Sequence, residues 1–185
     1  MNLEQPSLAI AGANGHSGYR PRVFLATPIT PLIAKNNEFC VVSRDSIQAM
    51  LASLRAEGFD VFCAIEREEW GKALMSGHEC TRLDYEGLVA ADVMVALCTG
   101  SFGVHVELGW ASAHQKPILL LVNETFGIKT PLVEGLYTVS TVDTLTYQAE
   151  TLLPAVTTWQ TTLYPAVLDF IAQHVSHKPV SLGVS

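Results

Sequence analysis

Glu107 is the side chain in this sequence best placed for covalent chemistry. It follows an apolar run, Val93–Cys98, that empties into Thr99-Gly100-Ser101-Phe102-Gly103. In an open parallel sheet, ligands bind beyond the carboxyl ends of the strands. Small residues there let a ligand approach the backbone, and the first amides of a helix attract negative charge. With a helix expected over about 105–115, Glu107 falls in its first turn, where an anion gains a few tenths to about 1 kcal/mol. The reading is a carboxylate ionised at neutral pH, a nucleophile or electrostatic partner, set against an ordinary helix-start acid. Asp84 is the second acid of interest, eight residues before Asp92 on the helix that feeds the Val93 strand. Its plain alternative is a solvated helical position. Asp92 itself, just before a strand, is a lesser candidate that could equally be a turn or cap residue.

Two further strand exits could face a ligand, Thr27-Pro28-Ile29-Thr30-Pro31 and Glu66–Gly71. Trp70 in the latter either stacks on a planar ligand or pins the loop to the core. Phe102 is likewise a pocket wall or a loop anchor, and Trp110 is core or interface. Other chemistries lack support. His78-x-Cys80 with His105 or His114 is no recognised zinc spacing, and no GxSxG elbow supports serine hydrolysis. Gly12-x-x-Gly15-x-x-Gly18 has no strand–turn–helix frame for a dinucleotide. Neither a metal nor an organic cofactor is expected.

The elements that must position these residues alternate between strand and helix. Arg22–Ala26 reads as a first buried strand, stopped by prolines that cannot donate to a ladder. A helix capped by Ser43 or Asp45, with Ile47, Met50, Leu51 and Leu54 at helical spacing, ends at Gly58. Phe59–Ile65 reads as a second strand and 77–91 as a second helix with Leu83, Leu88 and Val89 inward. Strand Val93–Cys98, a helix over about 105–115, strand Ile118–Val122, a weaker strand Leu136–Val142 and a helix over Pro154–His174 complete the order. This is the pattern of a doubly wound α/β parallel sheet with helices on both faces, Rossmann-like or flavodoxin-like. One domain is expected over 22–176, between an N-terminal arm, 1–21, and a tail, 177–185.

Composition agrees. Of 185 residues, 49% are hydrophobic and only 16% charged, with mean hydropathy +0.27. That excludes a disordered acidic chain. A net charge of −7 argues against binding a nucleic-acid polymer. No apolar run approaches the roughly 20 residues of a membrane span, and 1–18 lacks the basic start of a signal peptide. Cys40, Cys63, Cys80 and Cys98 show no CxxC pairing, so a reducing cytoplasm is expected. So little charge also suggests a face covered by another subunit. Trp159–Phe170 is either that interface helix or a core helix.

Taken together, Asp84-x7-Asp92-Val-Met-Val-Ala, Ser101-Phe-Gly-Val-His-Val-Glu107-Leu-Gly-Trp-Ala and Lys116-Pro-Ile resemble the nucleoside 2-deoxyribosyltransferase superfamily. The likeness covers about 22–122, and the Ser101–Gly109 spacing is nearest to the nucleoside 5′-monophosphate N-glycosidase branch. The resemblance implies cleavage of an N-glycosidic bond, with Glu107 as nucleophile, Asp84 as the acid for the departing base and Ser101 on phosphate or sugar. The pairing suits an oxocarbenium-like state, which one carboxylate captures while an acid protonates the leaving group. Transfer to water makes a hydrolase and transfer to a second base a transferase; a non-catalytic nucleotide sensor is the rival. Thr27, Pro28, Ile29, Phe102, Gly103, His105, Trp70 and Asp92 complete the expected substrate contacts. His105 narrows the sugar pocket, meets a 2′-hydroxyl or caps the helix. The partner implied is a small nucleoside or nucleotide, in a homodimer or higher homo-oligomer. One departure stands out: the Thr27–Pro31 loop has no cation for phosphate, and Arg20, Arg22 and Lys35 are the nearest in sequence.

Overall fold

Five short strands pair into one sheet in the computed structural model, which describes residues 19–33, 39–128 and 130–175. They are β1 (Arg22–Ala26), β2 (Asp60–Phe62), β3 (Val93–Cys98), β4 (Ile118–Asn123) and β5 (Val142–Tyr147), in the order β2-β1-β3-β4-β5. All pairs are parallel. Every residue of β3 and β4 is buried, because alternate residues feed two apolar layers and neither face meets water.

On one face Val23, Leu25, Val95 and Leu121 pack beneath α1 (Val41–Ala56) and the C-terminal helix. That helix runs from α6 (Val156–Thr158) through a π turn, Trp159–Leu163, into α7 (Tyr164–Val175), numbering the short helices α2 (Ala64–Arg67) and α5 (Pro131–Glu134) in chain order. On the other face Phe24, Met94, Ala96 and Leu120 pack beneath α3 (Gly77–Ala90) and α4 (Phe102–Ala113). The sheet is doubly wound with helices on both faces. Its order reverses between β1 and β3, so the chains leaving these neighbours diverge and open a crevice at their carboxyl ends.

Several boundaries depart from the sequence reading. The expected second strand shortens to Asp60–Phe62, because β2 is an edge that finds β1 only over Arg22–Phe24. Beyond it Cys63 turns the chain into α2, burying Ala64 and Ile65. The last strand is Val142–Tyr147 rather than Leu136–Val142, and Leu136–Thr138 is a 3-10 turn. α1 begins at Val41, so neither Ser43 nor Asp45 caps it. Its direction is set by the Ile33–Phe39 bridge and the Cys40 amide donating to Leu32. Gly58 ends that helix with φ +89°, open to glycine without strain. Val89 of α3 faces out, while Leu88 is fully buried.

Trp159, Leu163, Val167, Phe170 and Ile171 all lie in the core. The Trp159 indole donates to Ser53 Oγ at 2.9 Å. The aromatic C-terminal segment is therefore core, and the interface alternative falls. Residues 1–18 of the expected arm 1–21, Lys35 and the tail 177–185 lie outside the described residues.

Candidate active site

α4 follows β3 after a two-residue turn, and its N-cap is Ser101. Because the helix starts three residues earlier than the sequence suggests, Glu107 stands in the second turn, beyond reach of the helix-end charge. Burial decides its state instead. Glu107 is 8% exposed, and its Oε2 is buried with no hydrogen-bond partner among the described residues. Desolvation, helped by the negative charge of Asp84 and opposed by Arg67, pushes its pKa up to about 8. The expectation of an ionised helix-start acid is thus corrected: at neutral pH this carboxyl holds its proton.

Asp84 reaches the same cavity from α3. Ser76 opens that helix as its N-cap, accepting the Glu79 amide at 3.3 Å, and the Ser76 hydroxyl donates to the Glu79 carboxylate. Two turns on, Asp84 accepts a bond from Arg67 Nη1 at 2.7 Å. Burial raises the Asp84 pKa, and the Arg67 hydrogen bond and charge work against that rise. The second arm of Arg67 donates to Glu68 Oε1 at 3.0 Å. The pair of acids therefore has unequal partners: Asp84 is ion-paired and Glu107 is not.

The cavity they share measures about 560 Å³, within the ~300–1,000 Å³ of small-molecule sites. Its wall includes Thr27, Ile29, Ser101, Gly103, Asp84 and Glu107, so the exits of β1 and β3 and the helices α3 and α4 converge on it. No side chain caps α4, so its first amides lack a capping acceptor, and Ser101 lines the cavity. Glu68, Leu74, Met75 and Cys80 also line the cavity, and sequence reasoning had not singled them out. No lysine or arginine appears in its wall among the described residues. Among those residues there is also no cluster of three or more His, Cys, Asp or Glu able to hold a metal.

Other expected contacts lie elsewhere. Asp92 stands at the amino end of β3, accepting from the Tyr19 hydroxyl and the Arg22 amide. It fastens the opposite end of the sheet. Arg22 pairs with Asp60 at 2.6 Å at that same end. Trp70 packs edge-on against Phe39, with Arg44 over its ring. It pins the loop and is no part of the cavity wall. Pro28 is buried beside the cavity without lining it. Phe102 and His105 face a separate groove of about 700 Å³ between α4 and α5. Phe102 is 88% exposed there.

A doubly wound sheet with two carboxyl groups in the cavity at its switch point is an arrangement able to support glycosyl transfer or glycoside cleavage. The nucleoside 2-deoxyribosyltransferase family model matches residues 33–144, and the chain belongs to that family. A CMP N-glycosidase of Clostridium botulinum, BcmB, is 30% identical over 70% of this chain and 91% of its own, with a TM-score of 0.51. BlsM, known from a solution structure, is 29% identical over 89% of this chain and 98% of its own, at a TM-score of 0.65. A conserved protein of Enterococcus faecalis shares the fold at 16% identity and a TM-score of 0.54. No functionally curated protein matches at a significant level.

Proposed function

We propose that this protein cleaves the N-glycosidic bond of a nucleoside or nucleoside 5′-monophosphate by way of a glycosyl ester on Glu107. The observation that carries this reading is the buried, unpartnered Glu107 carboxyl sharing one cavity with the ion-paired Asp84. Burial and the Asp84 charge raise the Glu107 pKa to about 8, so Glu107 carries a proton at neutral pH. As the C1′–N bond breaks, that proton passes through Asp84 to the departing base. The Glu107 carboxylate so formed bonds to C1′. Water then cleaves the ester, giving the free sugar and returning the proton to Glu107, so atoms and charge balance without a cofactor.

Ser101 and the first amides of α4 are the sugar or phosphate contacts, joined by Gly103, Thr27 and Ile29 from the cavity wall. The likeness to a CMP N-glycosidase favours a nucleotide. The cation-poor wall favours an uncharged nucleoside. Incubation with both forms, followed by chromatography of released base, decides between them. Wild type releases base and Glu107→Ala does not. Binding without release from any substrate would leave a sensor instead. A new nucleoside formed when a second base is added would show base exchange, the reaction for which the family is named. The same reading includes a homo-oligomer, in which the apolar surface of α4 and α5 is the face to cover.

A further inference from the structure

We propose that Arg67 is the positioning residue of this site: its guanidinium, forked between Asp84 and Glu68 and seated on Phe62, fixes the Asp84 carboxylate in the cavity it shares with Glu107. The inference rests on the reading of Glu107 and Asp84 as the reacting pair. Four observations carry it. First, both terminal nitrogens are committed, Nη1 to Asp84 at 2.7 Å and Nη2 to Glu68 at 3.0 Å. Second, the guanidinium carbon lies over the Phe62 ring, 5.7 Å from its centroid. Phe62 in turn stacks on Phe24 at 5.0 Å and 16°. Third, α3 approaches that ring at a glycine: a Cβ on Gly87 would lie 2.8 Å from Phe62. Core strand, aromatic platform, cation and acid thus form one continuous stack. Fourth, the Arg67 side chain is 19% exposed and its Nε is buried without a hydrogen-bond partner among the described residues.

Leaving a buried donor without an acceptor is costly. A cation kept only for surface charge would not be held in that state. Its neighbours explain the arrangement. Glu68 at the end of α2, Asp84 and Cys80 on α3, and Glu107 on α4 face this volume. The Thr27–Ile33 segment brings no charged side chain to it. Without Arg67, three carboxyls would face one another with no described cation between them. Both reacting acids would then hold protons more tightly, as buried like-charged groups do. Asp84 would lose the hydrogen bond that orients it. Arg67 is absent from the cavity wall itself, so its loss acts on turnover more than on substrate capture.

The experiment compares wild type with Arg67→Met and Arg67→Lys, by base release against pH and by ¹³C NMR of glutamate carboxyls. The Glu107 resonance is assigned by its disappearance in Glu107→Gln. Arg67→Met is expected to lower kcat by roughly tenfold to a hundredfold, the cost of a misplaced acid, with KM nearly unchanged. The bell of activity and the Glu107 titration both move to higher pH by about one unit. Arg67→Lys keeps the charge but not the fork, so it restores the pH profile while leaving kcat low. It also serves where the Met variant does not fold. An unchanged pH profile and Glu107 midpoint in both variants would overturn the proposal, whatever the loss of stability. The NMR arm reads Glu107 without turnover, so absence of base release sinks the proposed reaction while the Arg67 effect is still measured.

Discussion

A carboxyl buried without a partner has a definite signature in stability. Glu107 titrates at 4.5 when unperturbed and at about 8 in the fold. The folded state binds its proton more tightly, so this side chain's contribution is complete below about pH 4.5 and is lost as pH rises through 8. Glu107→Gln cannot ionise. The variant should gain stability relative to wild type across that window, at most about 5 kcal/mol, with no further relative change outside it. Urea unfolding of both proteins at pH 4, 6 and 9 checks this; parallel curves would refute it. The same variant should lose roughly a thousandfold or more of any base-releasing activity. Stability and function pull Glu107 in opposite directions, as an activated buried acid requires.

At the scale of elements, α3 presents Asp84 and receives the Phe62 platform. Gly87→Ala places a methyl 2.8 Å from a ring already stacked on Phe24. The helix-propensity gain of about 1 kcal/mol is outweighed by overpacking of about 1–3 kcal/mol. A lower melting temperature is expected, together with reduced turnover, because Phe62 carries Arg67. Ser76→Ala removes the N-cap at the start of α3, away from that stack. It should cost about 1 kcal/mol and leave the pH dependence of turnover untouched. Equal effects of the two variants on the pH profile would argue against the platform. Boundaries at this scale were the least legible in the sequence. β2 stops at Phe62 because an edge strand meets only one neighbour, and the π turn at Trp159–Leu163 leaves no local mark.

Across the whole molecule, 16% charged residues are compatible with either a filled core or a covered face. The aromatic C-terminal helix satisfies the first. Phe102, Val106 and Leu132, exposed at 88%, 51% and 85%, are what a covered face would hide, since exposed apolar patches of this kind mark contact surfaces. Sedimentation equilibrium should find a homo-oligomer, and Phe102→Asp with Val106→Asp should shift it to the monomer. A wild-type monomer at tens of micromolar would remove the assembly from the proposed function.

The sequence by itself determined the layer order and the central strands, and singled out the two acids of the proposed reaction. β1 and β3 fall where Arg22–Ala26 and Val93–Cys98 are apolar, and Asp84 and Glu107 stand on the helices either side of β3 in the chain. The tertiary structure alone decided their state. Whether Glu107 is ionised depends on how deeply α4 seats it and on Asp84 across the cavity, not on its place in a helix. Arg67 becomes the partner of Asp84 only because β2 ends early and α2 turns it inward. Seventeen residues separate them in sequence, and no local pattern links a residue on one strand exit to another on the helix packed beside it. Asp92 shows the converse: its spacing suggested a site, and the parallel register placed it at the opposite end of the sheet.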